Sequence, residues 1–185
     1  MESPADEVIT DWAYAPKTDI SMTLILPLKS KGDNPSRNNI DFYSGVLAAV
    51  RNIGEAGIKT ELNVFDSSDP ATLIEAETLS GSDVIMGPVA IGELRRMIPE
   101  VPENIGIVPP LDPRAETLAY QREDFIQAPT PHYVQFKDLA DWIMEDRQAS
   151  DKVILIHEKG ESGSDASMQM KAAADSAHLG YIPFS

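Results

Sequence analysis

The sequence predicts an α/β protein built on a parallel sheet, and three observations carry that reading. Short apolar runs at residues 20–26, 84–86 and 104–108 each stop at proline or at a glycine–proline turn. Segments with helical spacing of apolar residues separate the runs. The strand–turn–helix order then repeats along the chain. Strands that alternate with helices bury both sheet faces under helices, which is why their sequences read as apolar runs instead of alternating ones.

Residues 1–18 are polar, contain Pro4 and Pro16, and hold no sustained periodicity, so they read as a tail or linker that Trp12 and Tyr14 dock onto the body. Residues 20–26 form the first strand, ended by Pro27. A polar loop over residues 29–37 leads to Asn38 or Asn39 as a helix cap. The helix that follows, to about Glu55, places Phe42, Val46, Leu47, Val50 and Ile53 on one face, and Gly57 breaks it. Residues 58–65 alternate apolar and polar and read as a second strand near an edge. Asp66 to Pro70 is a turn in which Asp66 serves as a cap or Asx turn, before a helix over residues 71–79. The third strand, Val84 to Met86, ends at Gly87-Pro88 and feeds a helix over residues 91–98. A fourth strand spans residues 104–108, and a short fifth spans residues 125–128.

Right-handed crossovers arrange the first four strands in the flavodoxin-like order 2-1-3-4 of a three-layer sheet. Pro129-Thr130-Pro131 is a rigid break, after which a second unit opens. It holds a helix over residues 133–147, a buried strand over 152–157, a helix over 164–179 and the start of a strand at 181–184. Met168 and Met170 read as packing residues. The predicted division is therefore a tail (1–18), a ligand-binding lobe (19–128) and an incomplete second lobe (129–185). Two strands cannot cover two helices unaided, so the second lobe needs partners from elsewhere.

Composition limits the function. Fifteen basic against thirty acidic residues give a net charge of −15, which opposes nucleic acid and anionic lipid. Without cysteine there is no disulfide, thiol nucleophile or zinc–thiolate site. Residues 1–7 have neither the basic nor the apolar region of a signal peptide, so a targeting segment would lie outside this chain.

Catalytic motifs fail in detail. Gly160-Glu161-Ser162-Gly163-Ser164 nears the G-x-S-x-G elbow but ends in serine, and no ordered acid and histidine follow. His132, His157 and His178 share no ligand spacing, so no metal is expected. Neither a G-x-G-x-x-G nor a P-loop supplies a phosphate cradle, so no cofactor is expected. Pro27-Leu28 and Gly87-Pro88 stand where a phosphorelay receiver would need acidic residues. What remains is a crevice at the strand ends after residues 26, 86, 108 and 157, suited to a small ligand held by backbone amides and hydroxyls.

The ordered motifs ISMTLILPL (20–28), DFYSGVLAAV (41–50), ELNVFD (61–66), SDVIMGP (82–88) and IGIVPP (105–110) resemble the first lobe of type I periplasmic binding proteins, the branched-chain amino-acid receptors of ABC importers. FIQAPTP (125–131) resembles the crossing between lobes, and KVILIHEKGESGSD (152–165) the opening of the second. The resemblance implies a non-enzymatic, extracytoplasmic receptor for an amino-acid-like solute, with an ABC permease as partner. It implies that Gly87, Pro88, Val89 and Ala90 hold the ligand carboxylate. Because the serine usual in that turn is missing, backbone amides would do so. In the loop after the fourth strand Asp112 would meet the ammonium, with Leu111 beside it departing from the family's small and hydroxylated residues, and Glu161 and Ser162 would approach from the second lobe, Ser162 standing where the family commonly has an aromatic residue. The same fold also serves envelope lipoproteins that regulate peptidoglycan synthesis and Bacteroidetes-type envelope proteins with a LysM module, which gives a scaffold with a protein partner as the alternative. Type I binding proteins are roughly twice this length as ordinary two-domain chains. This points to a fragment or to a homodimer exchanging residues 133–185.

Overall fold

The computed structural model describes residues 17–72, 74, 76–156 and 165–184. Four parallel strands form the main sheet: β1 (Asp19–Leu26), β2 (Lys59–Asp66), β3 (Val84–Met86) and β4 (Gly106–Val108), in the order β2-β1-β3-β4. This is the order expected from the sequence. β1 lies centrally, with Leu24 facing Val64 on one side and Met86 on the other. Its last four residues are buried, as a strand covered on both faces must be.

The two faces have separate cores. Leu24 and Leu26 pack with Val46, Phe42, Tyr43 and Val50 of α1 (Arg37–Glu55). Ile25, Ile85 and Ile107 point the other way, towards Leu79 of α2 (Ala76–Ser80) and Leu94 of α3 (Ile91–Met97). Alternation along each strand produces the split. Thr23 shares the α2–α3 face and is fully buried, and its hydroxyl is satisfied by Ser82 Oγ at 2.8 Å. A 3-10 turn (Ile98–Glu100) extends α3. Another (Pro113–Ala115) leads into α4 (Glu116–Ala119), whose Leu118 closes the same core.

A smaller unit follows. β5 (Val153–Ile156) and β6 (Tyr181–Phe184) pair in parallel under α5 (His132–Asp146) and α6 (Asp165–Ser176). Ala140 and Ala174 pack with Leu179, Val153 and Tyr181 between helices and strands. The other sheet face carries Ile154, Ile156, Ile182 and Phe184, all 53–74% exposed.

Several expectations are corrected. Residues 125–128 make a single bridge, Phe125 with Ile107, instead of a fifth strand. Ile126 N–H donates to Ile107 O, and the chain then meets prolines, which offer no ladder donor. The helix expected over residues 71–79 starts only at Ala76, because Asp69 holds a tight turn by accepting from Ala71 N–H with its carboxylate and from Thr72 N–H with its carbonyl. β4 begins at Gly106, since Asn104 is left-handed at φ 81° and cannot sit in a strand. The α1 cap is Ser36, and Asn39 lies inside the helix with its amide donating to Pro27 O and Ser36 Oγ. Met168 is half exposed, whereas Met170 lines an apolar cleft with Phe136 and Leu155. Of the tail, Lys17 pairs with Asp83, and Thr18 O accepts from Lys59 N–H at 2.8 Å. Trp12 and Tyr14 lie outside the described residues.

Candidate functional site

In the order β2-β1-β3-β4 the connections from β1 and β3 leave to opposite sides, so a crevice opens at their carboxyl ends. Gly87 stands there. Its φ is 101°, its N–H donates to Val108 O at 2.9 Å, and a Cβ would run into the carbonyl oxygen of Ile25. Only glycine lets the β3 turn pass this close to β1. The Gly87–Pro88 peptide is cis. Gly87 and Pro88 are buried, Val89 packs on the α1 face, and Ala90 is exposed at the start of α3.

β4 ends in register with β3, Val108 opposite Met86, so the loop carrying Leu111 and Asp112 leaves the same edge from the adjacent strand. Leu111 is exposed. The Asp112 carboxylate is already engaged: it accepts from Arg114 N–H at 2.9 Å and from the Arg114 guanidinium at 2.7 and 2.9 Å. The Arg114 hydrogen bond, with the nearby His132 charge adding a smaller effect, keeps its pKa below the ordinary carboxylate value against the opposing effect of burial. An ammonium arriving here would have to share this carboxylate with Arg114. Glu161 and Ser162, like His157, lie outside the described residues.

Asp66 is more than a cap. Its carboxylate accepts from the N–H groups of Leu28, Lys29, Ser30 and Ser68 and from the hydroxyls of Ser30 and Ser68. Burial pushes its pKa up, but the bonds from Ser68 and Ser30 win and hold it far below the ordinary value. The end of β2 thereby fixes the loop that leaves β1.

Ser67, next in the chain, points to the other face, as does Phe65 two residues before it. It lines a cavity of about 500 Å³ with Ile25, Ile74, Leu79, Met97 and Pro88, with Thr72, Glu93, Arg96 and Glu100 completing the wall. Ser67 Oγ is buried and has no hydrogen-bond partner among the described residues. Sequence reasoning missed this cavity because it took the crevice from the ends of β1, β3 and β4 and read the end of β2 only as a turn. The available signal was Glu93, Arg96 and Glu100 at positions i, i+3 and i+7, which share one helix face. Among the described residues no group of three acidic or histidine side chains is placed to hold a metal ion.

Two solved structures resemble the chain over 89% of its length. One is an ABC transporter substrate-binding protein from Desulfitobacterium hafniense, at a TM-score of 0.63 and 15% identity. The other is such a protein from the same organism in complex with Leu, at 0.62 and 14%. The chain has the substrate-binding-protein fold. It spans about half the length of these structures, 49% and 50%. No family model matches, and no curated protein matches. The likeness is one of fold, and so low an identity leaves the ligand to be argued from this chain's own residues.

Proposed function

We propose that the chain is a non-enzymatic solute-binding protein of the ABC-importer type, working outside the cytoplasm and delivering an amino-acid-like ligand to a permease. The observation that carries this reading is the match of 89% of the chain to substrate-binding proteins, one of them in complex with Leu. The crevice at the β1–β3 switch point is where open α/β sheets bind ligands, and it supports the same reading. The ligand lies against Gly87, Pro88, Val89 and Ala90 on one side and Leu111 and Asp112 on the other. Lobes covering residues 19–128 and 129–185 meet at Pro129 to Pro131 and close on it. Gln127 and Gln135 brace this crossing by donating to Pro129 O at 2.8 Å and Thr130 O at 2.5 Å.

A thermal-shift screen of the 185-residue chain against the proteinogenic amino acids tests the reading. A ligand that binds only the folded state must raise the melting temperature in proportion to the logarithm of its concentration. A melting temperature that climbs with the logarithm of concentration is expected for at least one amino acid. A flat response across the set at millimolar concentration overturns it.

A further inference from the structure

We infer that the cavity between α2 and α3 is a second ligand site, made for a small zwitterion with an apolar body. It adjoins the crevice at Pro88, which borders both, but opens on the other face: Val89 packs on the α1 face of the sheet, whereas this cavity opens on the α2–α3 face. Its volume of about 500 Å³ lies in the range of small-ligand sites.

Three features of the lining select the ligand. The floor is apolar, formed by Ile25, Ile74, Leu79 and Met97. Ser67 Oγ is buried there with no partner among the described residues, and such hydroxyls in native proteins are nearly always satisfied by something. The rim carries Glu93, Arg96 and Glu100 on one face of α3 and its extension. Arg96 Nε donates only to Gly92 O, and no ion pair joins Arg96 to either glutamate among the described residues. A purely anionic ligand would meet two carboxylates, and a purely cationic one would meet the guanidinium. A zwitterion satisfies both signs: its carboxylate pairs with Arg96 and Ser67, and its ammonium with Glu93 or Glu100. The site does not rest on the importer reading, since it uses neither Asp112 nor a second lobe.

The test is a titration of the isotope-labelled full chain with L-leucine, isocaproate and isoamylamine, followed residue by residue by NMR. The last two probes lack the ammonium and the carboxylate respectively. L-leucine is expected to shift the Ile74, Leu79 and Met97 methyl signals saturably. Ser67→Ala and Arg96→Met should each weaken that response about tenfold, the size of one charge-assisted hydrogen bond, while Asp112→Ala leaves it unchanged. Both single-charge probes should bind more weakly than leucine by a similar factor. Loss of the crevice response in Asp112→Ala with the cavity response intact separates this site from the importer site. No saturable shift at these methyls with leucine overturns the proposal, as does an affinity indifferent to Ser67→Ala and Arg96→Met or equal binding of isocaproate. Methyl spectra of the unliganded variants that match the parent elsewhere show that the cavity, and not the fold, was changed.

Discussion

Single residues set the shape of the crevice edge, and Asp66 does so by charge. Its six accepted hydrogen bonds tie the β1 loop to the end of β2. Its folded pKa lies below the unfolded value of 3.8. The stability it contributes is therefore complete above that unfolded value and is lost as pH falls through the folded one. Asp66→Asn should cost about 1–3 kcal/mol at neutral pH, because several N–H donors lose a charged acceptor. It should also flatten the acid limb of the stability curve. Urea titrations of both proteins on either side of the unfolded pKa read the difference; parallel acid limbs would show that Asp66 is not the group responsible. Gly87 acts by having no side chain. Gly87→Ala should destabilise the chain by at least about 2 kcal/mol, since the new Cβ meets the Ile25 backbone at a positive φ. An unchanged melting temperature would mean that the β3 turn moves freely away from β1.

Among the elements, β1, β3 and β4 were legible because their apolar runs end at strong punctuation, Pro27, Gly87-Pro88 and Pro109-Pro110, and β2 because its residues alternate as an edge strand's do. α1 was legible because its apolar stripe is long. The elements that went astray are those decided by local side-chain bonds and backbone constraints that periodicity does not encode. Asp69 delays α2, the left-handed Asn104 delays β4, and the prolines after Gln127 reduce the fifth strand to one bridge. The site shows the same limit. The Gly87 turn could be placed from sequence, but the Arg114 clamp on Asp112 and the buried Ser67 hydroxyl depend on side-chain directions. Arg122 is another such case. Its guanidinium donates to Val101 O at 2.7 Å and Pro102 O at 2.6 Å and pairs with Asp124 at 2.5 Å, which pins the segment between α3 and β4. Its side chain is only 8% exposed. Arg122→Met should cost about 3–5 kcal/mol by taking the charged partner from Asp124 and the donor from these carbonyls. Denaturant unfolding measures it, and a loss below about 1 kcal/mol would reduce the pair to an ordinary surface one.

Across the whole molecule, burial is uneven. The four-stranded sheet is covered on both faces around β1, whereas β5 and β6 leave four large apolar side chains in solvent. Amide exchange in β5 and β6 should therefore be faster than in β1 and β3 by orders of magnitude, because a two-stranded sheet with one bare face opens at lower free energy. Equal protection in the two sheets would mean that something covers the bare face in solution. The proposed function places an amino-acid-like solute in the strand-end crevice. Calorimetric titration of L-leucine into the full chain and into Asp112→Ala measures this most directly. A saturable crevice component is expected, its affinity falling about tenfold in the variant, the worth of one charged contact. Identical isotherms for the two proteins, or no saturable heat in either, would contradict it.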